Sequence, residues 1–152
     1  MSNPAQNTKE VIVISPVAIK DNASWTTNQI DTLGYDYCII RFFTGATDIA
    51  MAALKVQESD TDGSNFADVT GLIFGTSTNI DGSTSALPTA TDDDKVYLFE
   101  IDLRGRKRYL DLVATAGNGT AGTYAAAIAT LTRASNAPVT ASARGCDEIL
   151  RI

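Results

Sequence analysis

The chain of 152 residues contains no histidine. Histidine is the commonest general base and a common zinc ligand, so its absence excludes Ser-His-Asp and Cys-His catalytic groups and the usual zinc sites. There are only two cysteines, Cys38 in an apolar run and Cys146 near the C-terminus, and they lack the spacing of metal ligands. We expect Cys38 to be a buried free thiol, with a disulfide between the two cysteines as the alternative.

The chain also has few charged residues and no long apolar run. Apolar residues make up 44% and charged residues 20%, and the mean hydropathy is −0.01, which excludes wholesale disorder and a membrane-spanning segment. Twelve basic and eighteen acidic residues give a net charge of −6 and a pI near 4.5. We therefore expect a soluble protein that binds no nucleic acid and no membrane, and the polar N-terminus predicts no secretory signal.

Apolar and polar residues alternate in at least five segments, which is the pattern of half-buried strands. These segments are residues 10–20, 35–43, 54–69, 96–103 and 109–115, and the third contains the turn of a β-hairpin. Residues 123–132 are rich in alanine, the best helix former, but their alternation favours a strand. The sequence therefore predicts an all-β protein, a single-domain antiparallel β-sandwich or jelly roll with extended termini.

Three parts are predicted along the chain. They are a flexible N-terminal segment (residues 1–9), the β-sandwich or jelly-roll domain (residues 10–133) and a C-terminal arm (residues 134–152). Pro138 and the lack of an apolar period predict that the arm runs extended over the surface. Ile149, Leu150 and Ile152 would be costly to leave in water, so we expect a groove or free strand edge to receive them, on this subunit, a sister subunit or a partner.

The glycine loop, residues 117–122, carries the pattern Gly117-x-Gly119-x-x-Gly122 after a predicted strand. This pattern matches the dinucleotide-binding fingerprint, which needs a helix after the loop and then a second parallel strand. The thirty residues that follow Gly122 (152 − 122) contain Pro138 and no such strand. We predict a glycine-rich hairpin with no cofactor.

Several acidic groups and one tryptophan have a functional and a structural interpretation. Asp60 and Asp62 offer the oxygen ligands that calcium prefers, but an aspartate-closed turn explains the same residues, and calcium binding stays open. The run of acids at residues 92–94 is typical of a solvated loop. Trp25 is expected in the core or an interface rather than as a sugar-stacking platform. No two carboxylates are singled out, so the sequence assigns no catalytic, cofactor or metal residue.

The basic loop, residues 104–108, holds four of the twelve basic residues on an otherwise acidic chain, namely Arg104, Arg106, Lys107 and Arg108. One interpretation is an electrostatic docking patch for an acidic partner. The other is a charged hairpin end whose side chains pair with nearby aspartates. The residues alone do not separate the two. The candidate partner-binding residues are therefore these four together with Ile149, Leu150 and Ile152.

Three stretches of the chain resemble a known protein family. They are residues 49–60, residues 66–71 and residues 101–117, within a similarity that covers roughly residues 30 to 133. They are similar to the jelly-roll capsid cement, or decoration, proteins of tailed bacteriophages. Strands that end in a similar acidic turn also occur in carbohydrate-binding jelly rolls.

The resemblance implies a non-enzymatic virion structural protein. Such a protein is made in the bacterial host cytoplasm, binds the outer surface of the assembled capsid and cements neighbouring major capsid subunits, as a homo-oligomer, dimer or trimer. The alternative is a carbohydrate- or receptor-binding jelly-roll module of a phage head or tail fibre. A hydrolase that uses only carboxylates is a third, more distant possibility, because nothing selects its catalytic pair.

Overall fold

The alternating segments form eight strands in a computed structural model that describes residues 4–152. The strands are β1 (Lys9–Ile14), β2 (Ile30–Asp31), β3 (Tyr37–Thr47), β4 (Ala53–Ser59), β5 (Ala67–Ile73), β6 (Val96–Asp102), β7 (Tyr109–Thr115) and β8 (Thr123–Thr132). Two single 3₁₀ turns, Pro4–Gln6 and Ser142–Arg144, are the only helical elements in residues 4–152. The all-β prediction is confirmed, including the strand over residues 123–132.

The strands form two antiparallel sheets of four strands each. Sheet A has the order β1-β8-β3-β6, and sheet B has the order β2-β7-β4-β5. The predicted antiparallel β-sandwich is therefore confirmed. Its pairs are nested along the chain, since β1 pairs with β8, β2 with β7, β3 with β6 and β4 with β5. Jelly-roll topology stays a prediction, and this nesting supports it.

The core lies between the two sheets and is built from one side of each strand. In β7, Leu110, Leu112 and Ala114 face inward and are buried. Opposite them, Phe42 of β3 is fully buried, and the Trp25 ring meets it edge-on at 6.2 Å between ring centroids. The expectation that Trp25 belongs to the core is thus confirmed. In β8 the buried side chains are Thr123, Ala127, Ala129 and Leu131, and the strand lies between β1 and β3 in the middle of sheet A.

The basic loop and the glycine loop are both crossovers between the sheets. The basic loop joins β6 of sheet A to β7 of sheet B, and the glycine loop joins β7 to β8 of sheet A. The hairpin interpretation of both loops was wrong. Alternation shows that two segments are strands, but it does not show which strand each pairs with. Only β4 and β5 form the hairpin expected from the sequence.

The termini pack together at the β1 edge of sheet A. Arg144, in the second 3₁₀ turn, donates hydrogen bonds to the carbonyl oxygens of Ala5 (2.6 Å) and Thr8 (3.0 Å) and to the Thr8 hydroxyl (2.8 Å). The arm is therefore anchored by a turn and is not extended throughout. The prediction of a flexible N-terminal segment falls partly on residues 1–3, which lie outside the described residues.

Within residues 4–152, no helix is long and apolar enough to cross a membrane.

Candidate functional site

The arginines of the basic loop all form ion pairs with acids of the same chain. Arg104 holds Asp102 through two nitrogens, at 2.9 and 2.6 Å, and Arg108 holds Asp31 in the same way, at 2.9 and 2.8 Å. Arg106 lies 3.6 Å from a carboxylate oxygen of Glu58. The Arg104 guanidinium lowers the pKa of Asp102 to about 2, and the Arg108 guanidinium lowers that of Asp31.

Pairing therefore uses most of the positive charge of this loop. Sequence reasoning placed four cations together but could not place their partners, since Asp31 and Glu58 come from distant parts of the chain. Within residues 4–152, Lys107 is the basic residue of this loop whose side chain has no ion-pair partner, while its backbone N–H donates to Glu58 at 3.2 Å.

The glycine loop binds a carboxylate of the chain itself. Asp48 accepts hydrogen bonds from the backbone N–H groups of Thr120, Ala121 and Gly122, at 2.9, 2.7 and 2.9 Å. These bonds lower the pKa of Asp48. A row of N–H groups of this kind forms an anion-binding concavity, and the Asp48 carboxylate fills it.

The acids considered for calcium are engaged in loop contacts. Asp62 accepts a hydrogen bond from the Gln29 side-chain amide, and Asp60 accepts one from the Arg108 backbone at 3.4 Å. In the run at residues 92–94, Asp92 accepts from the Thr89 N–H and hydroxyl, both at 2.7 Å. Across the described part of the chain, no three His, Cys, Asp or Glu side chains lie together as a metal site would require.

The outward side of sheet A is a broad apolar surface that sequence reasoning missed. We call it the outer face. Its apolar side chains are Ile12, Ile39, Phe43, Val96, Leu98, Tyr124 and Ile128. The register aligns Ile12, Ile128, Arg41 and Leu98 in one row across the four strands. Ile12 is 54% exposed, Val96 56% and Leu98 45%, which is high for large apolar side chains.

The sequence did carry a signal for this surface. In β3 and β6, apolar residues occupy both alternating positions, as in Ile39-Ile40 and Val96-Tyr97-Leu98-Phe99. Such runs indicate strands that are covered on both faces. In this chain one face is covered by sheet B, and the other is exposed. A continuous run in an antiparallel sandwich is thus a sign of a second packing surface.

Polar groups hold the centre of the outer face in place. Arg41 donates to the Thr130 hydroxyl at 3.0 Å, and that hydroxyl donates to a Glu10 carboxylate oxygen at 2.7 Å. The chain of bonds crosses three strands and keeps the long arginine side chain on the sheet. The outer face is therefore apolar with one fixed cation near its centre.

A groove opens beside the outer face, between the edge strands β5 and β6. It has a volume of about 640 Å³, and loop residues 77–80 and 85–86 form its outer wall. Leu72 and Phe74 lie on the β5 side, and Val96 and Leu98 lie on the β6 side. Apolar side chains from both sides therefore line this groove.

The terminal aliphatics of the arm are exposed in the single chain. Leu150 is 97% exposed and Ile152 is fully exposed, whereas Ile149 lies against the N-terminal segment. Within residues 4–152, no groove buries Leu150 or Ile152. The two cysteines are both free, and burial raises the pKa of the Cys38 thiol to about 12.

Comparisons with protein-family models, with curated proteins and with solved structures find no match for this chain.

Proposed function

We propose that this chain is a virion structural protein that binds the outer surface of an assembled phage capsid and cements neighbouring major capsid subunits. The proposal takes the kind of partner from the resemblance of residues 49–60, 66–71 and 101–117 to capsid cement proteins. The outer face is the observation that supports a cementing role. A flat four-stranded surface can lie across a seam between two subunits and contact both.

The physical case for docking rests on the cost of leaving the outer face in water. Burying a large aliphatic side chain stabilises an interface by about 1.5–3 kcal/mol when burial is complete. Several such side chains on one face provide the apolar area that a stable interface needs. Arg41 lies near the centre of this face, and Glu10 and Glu100 lie on one flank of its row. The outer face thus combines a large apolar area with a few fixed charges that can select a complementary partner.

The three resembling stretches also meet in space. Residues 49–60 include β4, residues 66–71 lie in and just before β5, and residues 101–117 include β7. These strands are neighbours in sheet B, in the order β7-β4-β5. The three stretches thus lie mainly in sheet B, opposite the outer face, within a similarity that covers roughly residues 30 to 133.

The direct test is on particles of the phage whose genome encodes the chain. Purified particles are analysed by mass spectrometry and cryo-electron microscopy, beside particles made without the gene. We expect the chain in a fixed ratio to the major capsid protein, with each copy contacting at least two shell subunits. Particles made without it should bind the purified protein and then resist heating better. Particles that contain none of the chain, and bind none when it is added, would refute the proposal.

Matched variants test whether the outer face makes the contact. Ile12→Lys and Tyr124→Lys each place a charge on this face, and Val139→Lys places the same charge on an exposed aliphatic position in the arm. We expect the first two to lose capsid binding and Val139→Lys to retain it. Equal binding by all three variants would move the contact to another surface.

Lys107→Glu tests the basic loop without breaking an ion pair. Reversing Arg104, Arg106 and Arg108 would set like charges against Asp102, Glu58 and Asp31, and so would disturb folding as well as docking. Lys107 has no such partner, so its reversal should leave the melting temperature unchanged. If the loop docks on an acidic shell surface, Lys107→Glu weakens binding most at low ionic strength.

The groove favours a second candidate, a carbohydrate- or receptor-binding module of a phage head or tail fibre. The rings of Phe74 and Tyr97 both line it, and aromatic rings are the usual platforms for sugars. A glycan array probed with the purified protein tests this function. Binding that is lost in Tyr97→Ala but retained in Ile12→Lys would favour it over the capsid role.

A further inference from the structure

The strand β6 is an edge strand whose outward backbone groups are unpaired. Within residues 4–152, β3 is the only strand that pairs with it. The bonds from Thr44 N–H to the Lys95 carbonyl and from Leu103 N–H to the Asp36 carbonyl mark the hydrogen-bonded register between the two strands. Because that register repeats every second residue, Val96, Leu98 and Glu100 direct their N–H and C=O groups away from β3. Within residues 4–152 no hydrogen bond reaches these groups.

The opposite edge of sheet A is covered. The Asn28 backbone N–H donates to the Val13 carbonyl at 2.9 Å, and the Asn28 side chain donates to the Ile12 carbonyl at 3.0 Å. Gly145 lies against the backbone of Glu10 in β1. An open edge with exposed aliphatics, such as β6, readily pairs with another chain, and proteins usually cover or blunt it.

The polar groups that remain for a ligand beside β6 are its unpaired backbone N–H and C=O groups, which an extended polypeptide would use, because the nearby hydroxyls are already bonded. In the adjacent loop, the Ser77 hydroxyl accepts from the Ile73 N–H, and the Ser85 hydroxyl bonds both the Gly75 N–H and the Ser77 carbonyl. These hydroxyls are engaged inside the loop. The groove therefore offers apolar walls and a row of unpaired backbone groups, which suits an added strand.

A segment of the same chain, residues 147–152, has the properties of such an added strand. Residues 147–152 read Asp-Glu-Ile-Leu-Arg-Ile, and no hydrogen bond from the rest of residues 4–152 reaches them. Leu150 and Ile152 are exposed. Arg144 and Gly145 fix the start of this segment beside β1. The segment is thus held at its base, and Ile149, Leu150 and Arg151 line a pocket with Ala5 and Gln6, but within residues 4–152 it pairs with no strand.

The segment cannot pair with β6 of its own molecule. Strands are spaced by about 4.8 Å, so a strand added beyond β6 lies about 19 Å from β1. The seven residues after Gly145 span about 23 Å when fully extended, at about 3.3 Å per residue. The crossing alone would use nearly all of them, and none would remain to run alongside β6. Residues 147–152 can therefore pair only with the β6 of another molecule.

We propose that residues 147–152 of one copy add to sheet A of a second copy as a strand beside β6, with Leu150 and Ile152 in the groove. Charge favours a parallel register that sets Arg151 next to Glu100 and the acidic start of the segment near Lys95. Glu100 has no ion-pair partner among the described residues. Ile149 then extends the outer face beside Leu98. The inference concerns contacts between copies and does not depend on the capsid role.

The test uses the full-length purified chain in sedimentation equilibrium from micromolar to millimolar concentration. We expect reversible self-association. Leu150→Ser should weaken it by about tenfold, because it removes an aliphatic side chain from the contact. Glu100→Arg and Arg151→Glu should each weaken it by about fivefold, and the double variant should recover the wild-type affinity. Asn136→Arg, an added charge on an exposed loop, is the control and should change nothing.

Amide hydrogen exchange supplies a second readout that needs no variant. The N–H groups of Val96, Leu98 and Glu100 should become protected as the concentration rises, whereas those of Tyr97 and Phe99, bonded to β3, should be protected throughout. A chain that stays monomeric at about 1 mM, well above the Kd range of specific contacts, would overturn the inference. It would also be overturned by charge reversals that fail to compensate each other, or by β6 protection that does not depend on concentration.

Discussion

At the scale of the residue, the glycine loop binds a side chain of the protein itself, although its sequence pattern suggests a nucleotide. The glycine loop supplies a row of N–H groups, and Asp48 fills it with a carboxylate of the same chain. The three glycines serve close packing instead of a pyrophosphate. A Cβ on Gly117 would lie 2.1 Å from the Ala50 carbonyl oxygen, and one on Gly122 would lie 2.1 Å from the Lys20 carbonyl oxygen. The spacing thus fits a tight crossover between sheets.

Two glycine substitutions separate backbone strain from close packing. Gly105 and Gly122 both have a positive φ, 82° and 99°, but a Cβ on Gly105 meets open space. We expect Gly105→Ala to lower the free energy of unfolding by about 1–2 kcal/mol, for the backbone conformation alone. Gly122→Ala should cost about 1–3 kcal/mol more, because the Lys20 backbone must also move. Urea unfolding measures both, and equal losses would show that the Lys20 contact relaxes freely.

At the scale of the element, the positions of the strands could be predicted from the sequence more completely than the connections between them. The alternation at Leu110, Leu112 and Ala114 identifies β7, because one side of a strand faces the core. The alanines of β8 follow the same alternation although alanine favours helices. Packing in the middle of a sheet outweighs this intrinsic helix propensity. Pairing depends on residues far apart, such as Arg108 and Asp31, 77 positions away in the chain. Local patterns carry no record of such pairs, so the crossovers and the distant ion-pair partners were not predicted, although pairing of the basic loop with nearby aspartates was one of the two interpretations.

The attachment of the C-terminal arm is an element-level feature that rests on Arg144. Its three hydrogen bonds hold Ala5 and Thr8, and few other contacts join the 3₁₀ turn to the sandwich. We expect Arg144→Ala to release both terminal segments, with faster amide exchange at residues 141–146. Global stability should change by less than about 1 kcal/mol, because none of these bonds is in the core. Arg133→Ala, which removes a more exposed arginine with one ion pair at 3.7 Å, is the control and should leave that exchange unchanged.

At the scale of the whole molecule, six aspartates are held by ion pairs or hydrogen bonds that favour their charged form. The pKa is lowered at Asp31, Asp48, Asp68, Asp81, Asp92 and Asp102. The causes are local in each case, a paired cation at Asp31, Asp68 and Asp102 and hydrogen bonds from nearby backbone or hydroxyl groups at the others. The acidic composition therefore does more than confer a net charge of −6, because at least six of the eighteen acids make contacts in the fold that favour their charged form.

This distribution predicts how stability depends on pH. A carboxylate with a lowered pKa in the folded state stabilises it fully above the unfolded value of 3.8, and that contribution is lost as pH falls through the folded pKa. With no histidine to titrate, the urea midpoint should stay level from about pH 8 down to about pH 6 and then fall steeply below about pH 4. Reduced repulsion near the pI acts in the opposite direction but is spread over long, screened distances. Asp68→Asn should make the fall of the urea midpoint at acid pH less steep, because it removes the carboxylate bonded to Lys55 at 2.8 Å. A urea midpoint that peaks near the pI would instead show that the repulsion due to net charge outweighs the contacts of these carboxylates.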